Sequence, residues 1–423
     1  MSFKFEWNEF TDQPHNIAPR SERFKHHLKH ADTYFSLITS NLRQAIPILS
    51  LYRRYWKRIF QKPAKLEGAF ALSASPYPQR NGEVIECLKE AGVRKSLVRV
   101  PSWEREKLDL YQQFLELLHK QRIEPVIALL QQREDVLFPC RWQSFLEEAF
   151  SLFGRICPFF EIGHAWNRTK WGLWDYKEYL KLARPAVSLA ERCGVKLVGP
   201  AVIDFEFHLY PPILQVIPFD KVSSLLYVDR LGAPENSQFG WTTARKIALL
   251  KAVVDLTSSG GRDCWITEVN WPLKETGKYS PASGRPNVSE EEQANYLVRY
   301  FIISLASGFI ERIYWWQLVA PGYGLIDSRE NIWRKRPSFS AFKTMVSLLE
   351  GSVFMEKGRT SQAEIFFFSK GGESFAVCWT RGRPFEYNFL RQVRRVLTRD
   401  GEEISFQPER IKIEESPKYV FFA

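Results

Sequence analysis

The stretch Asp263-Cys-Trp-Ile-Thr-Glu-Val-Asn-Trp-Pro272 decides how this chain is read. Its short apolar run, rich in aromatic and β-branched residues, has the composition of a buried strand. It brings one carboxylate, Glu268, to the strand's C-terminal end, with Trp265 and Trp271 offering flat apolar surface nearby. A second stretch, Phe159-Phe-Glu-Ile-Gly-His-Ala-Trp-Asn-Arg168, has the same build: apolar residues, a glycine, then polar and aromatic side chains at the exit.

Around these two runs the chain alternates strand and helix. Strands are expected near 66–75, 96–103, 124–131, 158–167, 196–203, 221–229, 263–271 and 311–319. Helices are expected near 82–91, 106–121, 141–154, 175–193, 207–216, 241–258, 289–307 and 337–349. Eight of each is the count of a closed (β/α)8 barrel, an α/β TIM-barrel fold whose functional groups gather at the C-terminal ends of the strands. Residues 66–350 hold this unit. Before it, residues 1–65 combine an alternating segment (Phe3, Phe5, Trp7), read as a strand, with a basic helical extension. After it, residues 351–423 carry β runs such as Ala363-Glu-Ile-Phe-Phe-Phe368, read as a small β-sandwich to which the N-terminal strand is a candidate addition.

In this order the two opening stretches resemble strands seven and four of the retaining glycoside hydrolases of clan A, and the chain looks like a divergent member of that superfamily. The resemblance implies that Glu268 is the nucleophile. It also implies that Arg99, in Ser96-Leu-Val-Arg-Val-Pro101, is the second-strand arginine, and that Tyr227 is the aromatic that hydrogen-bonds the nucleophile. Strand four departs from the pattern. Where the family reads Glu-Ile-Gly-Asn-Glu-Pro-Asn, this chain has Glu161-Ile-Gly-His-Ala-Trp-Asn167, so Ala165 stands at the acid/base position.

Glycosidic cleavage normally takes two carboxyl groups, one to stabilise the oxocarbenium-like centre and one to protonate the leaving oxygen. A methyl group donates no proton. Glu161 shares a strand face with Ala165 but sits four residues, about 13 Å, deeper. Asp229 and His164 are therefore the candidate donors, the imidazole because its ordinary pKa lies near neutrality. Asp204, Glu206, Glu104, Glu134 and Asp135 also follow strand ends. Arg99 beside Glu268 would keep that carboxylate ionised; pairing with buried Glu161 is the alternative.

Candidate substrate contacts are Arg99, Trp166, Asn167, Arg168, Tyr227, Asn270, Trp271, Trp315 and Gln317, because sugar rings stack on indoles and hydrogen-bond to polar tips. Trp171, Trp174 and Trp316 extend the aromatic rim, half of which is expected to face the site. Arg168, Lys170 and Arg230 interleave with it, which fits an anionic oligo- or polysaccharide, carrying phosphate or uronic groups, and equally fits plain surface charge.

The formal net charge of +11 is concentrated: from Arg20 to Lys65 eleven Lys and Arg oppose only Glu22 and Asp32. No zinc, helix-turn-helix or RNA-recognition signature accompanies it, so a nucleic-acid partner is not expected. A basic helix there can pack on the barrel or make a peripheral contact with an anionic membrane surface through residues 20–65. The six cysteines lack CxxC spacing and read as free thiols, which fits a cytoplasmic protein. No metal or cofactor is expected: His26, His27 and His30 read as part of a solvated helix, and no glycine-rich nucleotide loop follows a strand.

Overall fold

The computed structural model describes residues 4–228, 232–281 and 287–423. Eight parallel strands close into a barrel: β1 Phe70–Ser73, β2 Lys95–Pro101, β3 Glu124–Leu130, β4 Phe159–Ile162, β5 Lys196–Ile203, β6 Lys221–Leu225, β7 Cys264–Val269 and β8 Ile310–Trp315. Each pairs with its sequence neighbours, and β8 returns to β1. The eight helical patterns appear within a few residues of their expected positions, for example Glu290–Ala306 and Pro337–Leu349. Ser289 opens the former with a capping box to Glu292, which satisfies first-turn amides that would otherwise be orphaned.

Alternation along the strands sorts the core into two layers. Ala71, Leu97, Ala128, Val198, Leu225, Trp265 and Tyr314 fill the barrel axis, while residues of opposite parity, such as Val98, Ile127, Ile266 and Ile313, pack beneath the helices. On β7 the alternation is interrupted. The register against β8 shifts between Ile266 and Val269, so Trp265 points inward, Ile266 and Val269 outward, and Glu268 faces the cavity even though strict two-residue periodicity from Trp265 would send it out.

The C-terminal region is a six-stranded antiparallel sheet facing a two-stranded one, Phe385–Tyr387 with Ile411–Ile413. Ile365, Cys378, Val396, Ile413 and Val420 form the layer between them. The strand that extends the large sheet is Ala64–Leu66, paired with Ser352–Lys357. The alternating N-terminal segment is not part of it. Lys4–Asn8 instead turns back on Gln13–Ile17 as an antiparallel hairpin, because its Phe5 and Trp7 find an apolar partner in Trp103 at the barrel mouth, with ring centroids 5.0 and 5.3 Å away.

The basic extension forms two helices, α1 Arg20–Lys29 and α2 Ala31–Arg58. One side of α2 packs on the barrel: Tyr55 donates to Asp255 at 2.5 Å, and Tyr52 lies against Trp241. The other side carries Phe35, Leu42 and Ile46, which remain 71, 69 and 81 % exposed.

Candidate active site

Glu268 reaches the mouth of the barrel at the end of β7 and is 94 % buried in a three-way grip (6 % exposed). Arg99, from β2, forms an ion pair with its Oε2. His164 places Nε2 3.0 Å from the same oxygen, and the Tyr227 hydroxyl donates to Oε1 at 2.5 Å. Burial by itself would raise the carboxyl's pKa, but Arg99, His164 and Tyr227 together outweigh it and bring the group down to about 2. Glu268 is therefore an anion at neutral pH, held so that one face stays open to a cavity of about 160 Å³.

That cavity is lined by Arg99, Ala165, Arg168, Lys170, Trp171, Tyr227, Asn270 and Trp316, together with Thr11, Asp12 and Gln13. The Arg99 guanidinium lies over the Trp316 ring, 3.3 Å from its centroid. Arg168 is anchored by Asp204 at 2.6 Å and by Glu206, so part of its charge is already neutralised within the protein.

The candidate contacts divide into residues that line the cavity and residues buried away from it. Arg99, Arg168, Tyr227 and Asn270 line the cavity. Trp166, Trp271 and Trp315 do not. Trp166 is buried, donates Nε1–H to the Pro200 carbonyl at 2.8 Å and stacks on Tyr179. Trp271 stacks on Trp315 with centroids 5.9 Å apart, and both belong to the layer beneath the helices. Trp265 likewise fills the barrel axis rather than the mouth. These four indoles hold the fold together, and the stacking surface of the site comes from Trp171 and Trp316. Alternation could have shown this, since Trp316 has the parity of inward Tyr314 and Trp315 does not.

Asn167 spans the ends of β4 and β5, its side chain bonding both the amide and the carbonyl of Ile203 at 3.0 Å. Gln317 accepts from Ser75 at 3.2 Å. His164 is buried between two acids, with Nδ1 3.5 Å from Glu161 on the side away from Glu268. Asp229 lies outside the described residues, as does Arg230.

The sequence reading missed Asp12. It sits in the turn of the N-terminal hairpin, 3.3 Å from Arg99 Nη1 through Oδ2, so two carboxyl groups, one from this hairpin and one from β7, share one guanidinium. The turn is fastened across the mouth: the Asn16 side chain donates to the Lys170 carbonyl at 2.7 Å and accepts from the Arg133 amide at 3.0 Å. Pro14 in the returning strand hides the hairpin from a propensity reading.

One cluster has metal-ligand chemistry. His26, Asp175 and Glu178 bring ligand atoms within 4.8 Å of one another. Asp175 caps the helix Tyr176–Cys193, and Glu178 is bonded by Arg133 at 2.7 Å. The trio works as a clip for α1, so His26 is docked against the barrel instead of being solvated, because Asp175 accepts its Nε2 at 2.8 Å.

No family model matches the sequence, and no curated sequence matches it either. Solved structures do share the fold. A family 39 glycoside hydrolase from Bacteroides cellulosilyticus WH2 superposes with a TM-score of 0.67 at 15 % identity, covering 85 % of this chain and 81 % of that one. A GH30 endoxylanase from Clostridium papyrosolvens C71 gives 0.59 at 10 % identity, covering 86 % and 98 %. The GH51 arabinofuranosidase from Xanthomonas axonopodis pv. citri gives 0.54 at 14 % identity, with the same coverage of 86 % and 98 %. The architecture is that of (β/α)8 glycoside hydrolases, across most of the length of each chain.

Proposed function

We propose that this chain is a carbohydrate-active protein of the retaining glycoside hydrolase type, with Glu268 as nucleophile or electrostatic stabiliser at the anomeric carbon. One observation carries the reading: a buried carboxylate at the end of β7, ionised at neutral pH, faces a small cavity walled by Trp171 and Trp316. A nucleophile must be anionic before the sugar arrives, and Arg99, His164 and Tyr227 keep Glu268 so at no cost in solvent exposure. Lys170 on the wall favours a saccharide with acidic groups, while Arg168 beside it is already paired with Asp204 and Glu206. A glycan array on wild type and Glu268→Gln, followed by a hydrolysis assay on each glycan bound, tests this. Binding by both proteins with cleavage only by wild type is the expected result. Binding without cleavage by either would leave a glycan-binding protein, the reading that Ala165 favours.

A second reading concerns place. The exposed apolar stripe of α1 and α2 (Phe24, Leu28, Phe35, Ile38, Leu42, Ile46) runs beside Lys25, Lys29, Arg43, Arg53, Arg54 and Lys57, the pattern of a helix that lies in an anionic lipid interface. No helix among the described residues is long and apolar enough to cross a membrane. We infer a cytoplasmic protein, working as a hydrolase or glycosyl transferase at the inner membrane face. Sedimentation with phosphatidylserine vesicles should be strong at low salt, weaken as salt rises, and be lost in Ile46→Asp; salt-independent or absent binding dismisses it.

A further inference from the structure

A carboxyl group that the eight barrel strands do not supply reaches the cavity from outside the barrel. We propose that Asp12, presented by the turn of the N-terminal hairpin, is the general acid and base of this site, the role that Ala165 cannot fill. The proposal rests on the hydrolase reading above.

The placement is built. Thr11, Asp12 and Gln13 line the same cavity as Glu268 and Ala165. Asp12 holds a left-handed backbone, with φ of 53°, which the hairpin imposes through its anchors on Lys170, Arg133, Trp103 and, via Phe10, Tyr279. Its Oδ2 meets Nη1 of Arg99 while Glu268 meets Nη2. Carboxyl groups on separate nitrogens of one guanidinium are held a few ångströms apart with the guanidinium between them, a spacing of the order that a retaining carboxyl pair uses, about 5–5.5 Å.

Their protonation is split as the two roles require. Burial raises the Asp12 carboxyl above its ordinary value; Arg99 opposes this, Glu268 and Glu104 add to it, and His164 opposes it weakly. Glu268 is lowered. Two carboxyls in one pocket with opposite shifts mark the acid and the nucleophile. Tyr77 and Tyr323, which also feel the Asp12 charge, are both raised by burial and stay neutral.

In the first step a Glu268 oxygen forms a bond to the anomeric carbon as the glycosidic C–O bond breaks. The electron pair leaves on the glycosidic oxygen, which takes the Asp12 proton. In the second, a water oxygen attacks the anomeric carbon, Asp12 recovers a proton from that water, and the Glu268–carbon bond breaks to restore both carboxyls.

The test uses the full chain and methyl and 2,4-dinitrophenyl glycosides of the common neutral and acidic pyranoses. Asp12→Asn should lower kcat/KM on methyl glycosides by about 10²–10⁴-fold, leave formation of the glycosyl-enzyme from dinitrophenyl glycosides nearly unchanged, and flatten the alkaline limb of the pH profile. Azide should restore turnover and release a glycosyl azide of retained configuration. Asp12→Glu should regain part of the activity, which separates proton transfer from loss of the hairpin. Equal losses on both leaving groups, or wild-type rates on methyl glycosides, overturn the assignment while Glu268-dependent cleavage by wild type keeps the hydrolase reading. If wild type cleaves no glycoside of the panel, both fall together.

Discussion

Strands four and seven, separated by two others in the barrel, both end at its mouth, and they differ in what they leave there. β7 delivers a carboxylate that three neighbours hold ionised. β4 delivers Ala165, 1 % exposed and with φ of 43°. The chain around Ala165 still makes the sharp turn that would aim a side chain into the cavity, but the side chain there is a methyl group. The difference teaches that the anionic half of the site is supported from within the barrel. The proton-donating half has no such support, and among the described residues the other carboxyl on the cavity wall, that of Asp12, comes from a hairpin laid across the mouth.

The largest expected effect is at Glu268. Glu268→Gln should lower turnover by roughly 10⁴-fold or more, the scale of losing a group on which the reaction turns, while binding of the same glycan persists. A smaller loss would make the two strand ends equally dispensable and erase the contrast.

The stability of the two tryptophan sets should separate next. Trp271→Ala removes an indole that stacks on Trp315 and meets Tyr300 edge to face, and should cost about 3–5 kcal/mol in denaturant unfolding. Trp316→Ala, on the cavity wall under Arg99, should cost less stability and instead weaken glycan binding about tenfold, or about 1.4 kcal/mol by calorimetry. The reverse pattern would return Trp271 to the site.

Acid sharpens the comparison further. Glu268 sits at about 2 in the fold against an ordinary value near 4.3, so its contribution is fully present above the unfolded value and is lost as pH falls from roughly 5 towards 2. The loss is on the order of 3 kcal/mol. Thermal melts of wild type should show that loss, and Glu268→Gln should show a smaller slope over the same window. Parallel slopes would mean the three-way grip does not hold the anion.

The smallest effect belongs to strand four. A left-handed alanine is strained, so Ala165→Gly should raise stability by up to about 1 kcal/mol and leave the glycan site intact. A marked destabilisation would show that the methyl group is needed for packing.

Much of this was legible along the chain. The eight strands and eight helices emerge from periodicity, and the motifs around Arg99, Tyr227 and Glu268 carry three residues that line the cavity. The tryptophans were harder. Trp166, Trp271 and Trp315 sit at strand ends and read as rim residues, yet parity turns all three outward. Glu268 depends on an irregularity that parity alone would get wrong.

By itself the amino-acid order determined the barrel, the basic extension and the single carboxylate of β7, because helix and strand periods are written in neighbours a few residues apart. The tertiary structure alone decided that the N-terminal strand folds into a lid rather than joining the C-terminal sheet. It alone decided that Asp12 meets Arg99 across 87 residues of chain. Contacts of that span are set by which surfaces remain uncovered once the barrel has closed, and no local pattern records them.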